Sequence, residues 1–194
     1  LSTVWEDGQY LRTRDIDKIL PAFEKQLEEL STGYLDIGMI HYVDAEDDFH
    51  EVFDGGIIRA AQQLKAEGKI RHIGMSSHNP VVARMAVETG LIDVLMFSIN
   101  PAYDLQPAEV DIYSMFEGDT YAAARHNIDP ERERLYELCA RCDVGIDVMK
   151  VYGGGDLLSV DNSPFGTAMT PVQAIDYALA RPAVAAVMVG CKNM

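Results

Sequence analysis

Ile70-Arg71-His72-Ile73-Gly74-Met75-Ser76-Ser77-His78-Asn79-Pro80 holds, in eleven residues, the unit from which the rest of this chain is built. An apolar run rich in β-branched residues, Ile70–Met75, gives way to small hydroxyl residues. An Asn-Pro pair then opens a helix: the Asn side chain caps it and the Pro takes its first position. Strand, polar strand end, capped helix is the order of a βα unit. The same grammar recurs at Asp129-Pro130 and Thr170-Pro171. Further apolar runs at Leu35–Ile40, Val94–Ile99, Val144–Met149 and Val184–Val189 read as strands. Being apolar at nearly every position, they are expected to be buried on both faces by flanking helices. The helix after Pro80 closes on Gly90, and one carrying Ile57, Ala61 and Leu64 closes on Gly68. Ile16, Ile19, Leu20, Phe23, Leu27 and Leu30 mark an earlier helix, which Pro21 makes either start near Asp17 or kink.

Five helix–strand repeats call for a parallel α/β sheet with right-handed crossovers. Such a sheet is either small and doubly wound or part of an eight-stranded barrel. The segment Pro101–Ile128, with Tyr103, Tyr113, Met115, Phe116 and Tyr121, is a long connection of the functional kind.

Composition narrows the function. The 194 residues carry a net charge of −15, which repels phosphate backbones and anionic lipid. Nucleic acid and membranes are therefore not expected partners, and no apolar run has the length of a membrane helix. Three cysteines, an odd number, suit a reducing cytoplasm better than a disulfide scaffold. Cys139 and Cys142 lie three apart on a helical pattern with no second pair, and no metal is expected there. The acidic run Asp44, Glu46, Asp47, Asp48, His50 and Glu51 reads as a solvated loop and the start of a helix.

In parallel α/β folds ligands bind at the carboxyl ends of strands. Those ends read His41, then Ser76-Ser77, then Ser98 and Asn100, then Met149-Lys150-Val151-Tyr152 with Gly153-Gly154-Gly155, then Gly190-Cys191-Lys192. His41 either directs a proton or a carbonyl oxygen, or packs the barrel. The serines bond an amide or phosphate, or cap the following helix. The glycines bring backbone N–H groups close to a pyrophosphate, or make a turn. Five successive strand ends with polar groups fit one shared site.

Tyr34-Leu35-Asp36-Ile37-Gly38-Met39-Ile40-His41 and Leu64-Lys65-Ala66-Glu67-Gly68-Lys69-Ile70-Arg71-His72-Ile73-Gly74-Met75-Ser76 resemble the aldo-keto reductase family. Phe97–Tyr103 and Thr170–Gly190 are similar to its strand-six and strand-eight regions. The resemblance implies strands four to eight of a (β/α)8 TIM barrel, one incomplete domain over residues 1–194. It implies an NADPH-dependent oxidoreductase, with NADP(H) as cofactor and a small aldehyde or ketone as substrate. Of the family's Tyr, Lys, Asp and His, only the His carries over, as His41. The Tyr and Asp are expected upstream, and the Lys at or before Leu1, unless Val4 has replaced it. This span alone is then expected to be inactive. Ser76 and Ser77 would lie near the nicotinamide amide. Ser98 stands where the family usually has Gln, and Met149 where many members stack a Tyr. Lys150, Tyr152, Gly153, Gly190 and Lys192 would approach the cofactor's phosphates. A non-catalytic, nucleotide-binding or regulatory member of the same fold is the alternative.

Overall fold

The computed structural model describes residues 1–108, 110 and 126–190. The chain opens with an antiparallel hairpin, β1 (Thr3–Glu6) and β2 (Gln9–Arg12). Helix α1 (Ile16–Glu29) follows, then β3 (Leu35–Ile40), α2 (Glu46–Phe53), α3 (Gly56–Ala66), β4 (Ile70–Ser77) and α4 (Pro80–Glu88). Next come β5 (Val94–Ser98), the single turn α5 (Pro101–Asp104), α6 (Pro130–Cys142) and β6 (Gly145–Met149). A 3-10 turn over Gly153–Leu158, α7 (Pro171–Leu179) and β7 (Val184–Val187) complete it.

The five expected strands pair in parallel in the order β3-β4-β5-β6-β7, without a reversal. A doubly wound sheet reverses its strand order at a switch point. Right-handed crossovers that always step the same way put every helix on one face. Burial follows this rule. Ile40, Ile73, Met75, Leu95, Phe97, Ile99, Ile146 and Val148, at alternate strand positions, are buried in one cluster with α1, α3, α4, α6 and α7. Each such side chain stabilises the fold by about 1.5–3 kcal/mol. The opposite parity, with Ile37, Met39, Met96, Asp147 and Met149, stays partly exposed or open. The apolar runs alone suggest helices on both faces, whereas the barrel that the resemblance implies puts them on the outer side only, and the second arrangement is the one found. One face meets helices, and the other lines the interior of a partial barrel, whose apolar residues mimic the pattern of a two-sided strand.

The caps form as read. Asn79 accepts from Val81 N, Asp129 from Glu131 N, and Thr170 forms a capping box with Gln173. Helix α1 starts at Ile16 on the Asp15 cap and runs through Pro21, burying Ile19, Phe23 and Leu27.

Two features depart from the sequence reading. The hairpin was not expected, although its turn is the pair Asp7-Gly8, both at positive φ, which suits a two-residue connection. The helix carrying Ile57 is separate from the acidic one before it, broken at Gly55. A Cβ on Gly55 would overlap the carbonyl oxygen of Glu51. Gly55→Ala should therefore cost about 1–3 kcal/mol, as forced overpacking does. Urea unfolding checks this, and a loss within the error of the measurement would show that the turn yields freely.

Candidate active site

The carboxyl ends of the strands converge on a cavity of about 210 Å³ lined by His41, Tyr42, Ser76, His78, Met96, Tyr103, Met149 and Lys150. Beside it, a second cavity of about 420 Å³ takes in Lys150, Tyr152, Gly154, Gly155, Leu158, Met188 and Gly190. Lys150 belongs to both. A larger cleft of about 550 Å³ between the hairpin and α1 touches none of the strand-end groups. The site is placed at the strand ends because the convergent polar groups are there.

His41 leaves β3 with its backbone held on both sides. Its N–H donates to Ser2 Oγ at 2.7 Å, and its carbonyl accepts from Arg14 Nη1 at 3.1 Å. Burial pushes the imidazole down to a pKa of about 4, with the chain's amino terminus and Arg14 adding to the shift. At neutral pH the ring is therefore neutral, one nitrogen donating and the other accepting. Its Nδ1 is buried without a hydrogen-bond partner.

Ser76 Oγ accepts from Tyr42 N at 2.9 Å, and its own O–H is free to donate among the described residues. Ser77 does not face the cavity. It donates to Asp44 Oδ1 and accepts from Asn79 N, so the capping reading applies. Ser98 is fully buried, its Oγ unpartnered, and does not line the cavity. Asn100 spans two strand ends, donating to the Lys150 carbonyl at 2.8 Å and accepting from Tyr103 N. Gly153 is buried, while Gly154 and Gly155 take φ of 75° and 110°, backbone that a side chain would strain. No neighbour lies within 4 Å of a Cβ built on Gly154, which leaves its surroundings open to a ligand. Lys192, with Tyr113, Met115, Phe116 and Tyr121, lies outside the described residues.

Sequence reasoning missed Tyr42, His78 and Met96 as lining residues, while Tyr103 belongs to the connection Pro101–Ile128 that it read as functional. Met96 was within reach, since it shares the inward parity of Ser98. His78 was masked by its neighbours. Its Nδ1 lies 3.1 Å from Asp44 Oδ2, and its ring stacks near Tyr42. Burial alone would raise the Asp44 carboxyl, but hydrogen bonds from His78 hold it below its ordinary value. The acidic run is used structurally: Asp44 pairs with His78, Asp48 with Arg14, and Glu46–Asp48 form the first turn of α2.

Sequential parallel strands with helices on one face and a ligand cavity at the strand ends define a TIM-barrel segment. A sequence model of the Aldo/keto reductase family matches residues 5–166, and the chain belongs to that family. It is 33% identical over 109 residues to the oxidoreductase YqkF of Bacillus subtilis (strain 168), a match covering 54% of this chain and 33% of that protein. It is 38% identical over 76 residues to the glyoxal reductase of the same organism, covering 39% of this chain and 24% of the other. The holo form of aldo-keto reductase AKR11C1 from Bacillus halodurans has the same fold over 96% of this chain and 59% of its own, with a TM-score of 0.66 at 22% identity. The chain thus matches less than half the length of each of these curated relatives, 33% of one and 24% of the other. Among the described residues no helix is long and apolar enough to cross a membrane.

Proposed function

We propose that this segment forms the His-bearing, phosphate-facing side of an NADPH-dependent aldo-keto reductase that reduces small aldehydes or ketones to alcohols. The observation that carries the reading is the junction of the two cavities. His41 and Ser76 lie in one, the glycine turn in the other, and Lys150 joins them. NADPH, when bound, would supply a hydride to the carbonyl carbon, and the proton that completes the alcohol would come from the family's Tyr acid, which is not among these residues. His41, neutral and partly buried, holds the carbonyl oxygen with a hydrogen bond. The Ser76 hydroxyl is available to the nicotinamide amide, and Met149 offers a flexible, polarizable apolar side chain to the ring. The exposed N–H of Gly154 suits a pyrophosphate, those of Gly153 and Gly155 already donating to the Lys150 and Tyr152 carbonyls, and Lys150 adds charge beside it.

One observation favours the alternative, a non-catalytic nucleotide-binding member. The Leu1 nitrogen donates to the Met39 carbonyl and Ser2 Oγ accepts from His41 N, so the first residues run beside β3. That lays Val4, buried and apolar, along the stretch where the resemblance expects the family's Lys. NADPH fluorescence titration separates cofactor use from catalysis. Lys150→Ala should weaken NADPH by about ten- to a hundredfold, the worth of one charge-assisted hydrogen bond. An unchanged affinity would remove Lys150 from the phosphate site. In a barrel closed around this segment, binding without carbonyl-dependent oxidation of NADPH would select the alternative.

A further inference from the structure

We infer that Arg14 is a positioning residue for His41: its guanidinium fixes the turn that delivers the imidazole to the cavity. The inference rests on the reading of His41 as the group that holds the carbonyl oxygen. It stands on the backbone of His41 and Tyr42, the two residues that leave β3. Tyr42 has φ +60°, left-handed backbone that a non-glycine residue adopts only when its surroundings impose it. The strand ladder has ended there, so side chains hold every backbone polar group of the pair. His41 N donates to Ser2 Oγ at 2.7 Å and Tyr42 N to Ser76 Oγ at 2.9 Å. The His41 carbonyl accepts from Arg14 Nη1 at 3.1 Å, and the Tyr42 carbonyl from Arg14 Nη2 at 3.0 Å. Arg12 Nη1 also reaches the Tyr42 carbonyl, at 3.0 Å, but from an exposed side chain.

Arg14 is itself built in. Its side chain is 7% exposed, and Asp48 grips it through both oxygens, Nε at 3.0 Å and Nη2 at 2.8 and 2.9 Å. A planar fork with five donors can hold a carboxylate and two carbonyls together, and a lysine cannot. Asp48 lies in the first turn of α2, so the pair ties the segment after the hairpin to the next helix across the end of β3. The fork also places a positive charge beside the imidazole, which with burial keeps the ring neutral. The other ionisable groups around His41 include the amino group of Leu1, Tyr42, His78, Tyr103 and Lys150, with Asp48 behind Arg14.

Two variants and NMR of the 194-residue chain test the inference without any turnover. In Arg14→Met, the His41 imidazole should titrate at a higher pH than in the unaltered chain, because a nearby like charge is gone. The amide resonances of His41 and Tyr42 should move with it. An intact fold with both the titration and those amides unchanged would overturn the inference and leave Arg14 a surface-joining residue. Should Arg14→Met not fold, Arg14→Lys keeps the charge and loses the fork. Displaced His41 and Tyr42 amides are then expected, and unmoved ones refute the role. A failure of the reductase reading shows separately, as missing NADPH-dependent activity in an unaltered barrel closed around this segment.

Discussion

Replacing His41 by alanine should lower kcat/KM for a carbonyl substrate by about 10²–10³, corresponding to about 3–4 kcal/mol, while NADPH affinity stays unchanged. The effect is large because the hydrogen bond strengthens only as negative charge grows on the carbonyl oxygen, so its loss falls on the transition state. It is confined to turnover because His41 lies in the smaller cavity and is absent from the one beside the glycine turn. Burial and the Arg14 charge hold the imidazole pKa below its ordinary value, so the ring is neutral at neutral pH and keeps one N–H to donate. The measurement is made in a barrel closed around this segment, with folding checked by circular dichroism and NADPH affinity by fluorescence. A drop below about threefold in a folded variant would mean that His41 makes no selective contact with the transition state. It would then be a packing residue, as its backbone contacts to Ser2 and Arg14 alone would suggest.

What the sequence revealed, and what it hid, divides along the range of the interactions concerned. The parallel strands and three of the helix starts were legible because their signals are local, an apolar run of five or six residues followed by a cap and a proline. Strand β7 was read two residues too long. Met188 and Val189 continue the apolar run, yet both are exposed beyond the last paired residue. The hairpin also had a local signal, Asp7-Gly8, but its strands of four residues are too short to show a period. The single-sided burial of the sheet was not legible, since an inward-facing Met96 and an outward-facing Leu95 look alike in sequence.

At the site, strand ends pointed to His41, Ser76, Met149 and Lys150, which the fold gathers around one cavity. They pointed equally to Ser77, which the fold spends on Asp44 and Asn79. Period-2 alternation separates these two serines only if the inward parity is known, and one residue of strand register decides it. The grip of Arg14 on Asp48 left no trace in the sequence. The two are 34 residues apart, and the acidic run around Asp48 reads as a solvated helix start.

Asp104→Ala should destabilise the fold by about 3–5 kcal/mol, the cost of leaving a buried cation without its partner. Asp104 is fully buried at the end of α5, where its carboxylate accepts from Tyr136 at 2.6 Å and Tyr177 at 2.9 Å. Arg132 Nη1 lies 3.4 Å away and donates to the Ser98 carbonyl at 3.0 Å, with its guanidinium over the ring of Phe97. Burial pushes the Asp104 carboxyl up, outweighing Arg132 and the two hydroxyls, so the group is not held for its own stability. It is held because its partners join α6 to α7, with Arg132 reaching on to β5, while its backbone carbonyl accepts from Asp129 N at 2.7 Å. That contact brings the two ends of the long connection together beside the cavity that Tyr103 lines. Removing the carboxylate strands Arg132, only 3% exposed, and frees two tyrosine hydroxyls inside the core. Denaturant unfolding of Asp104→Ala, Arg132→Met and the double variant gives the measurement. The double variant should be more stable than Asp104→Ala, because the charge left behind, not the lost bond, dominates the loss. A single-variant loss below about 1 kcal/mol, or a double variant no better than Asp104→Ala, would show that water reaches Arg132 and that the cluster is not sealed.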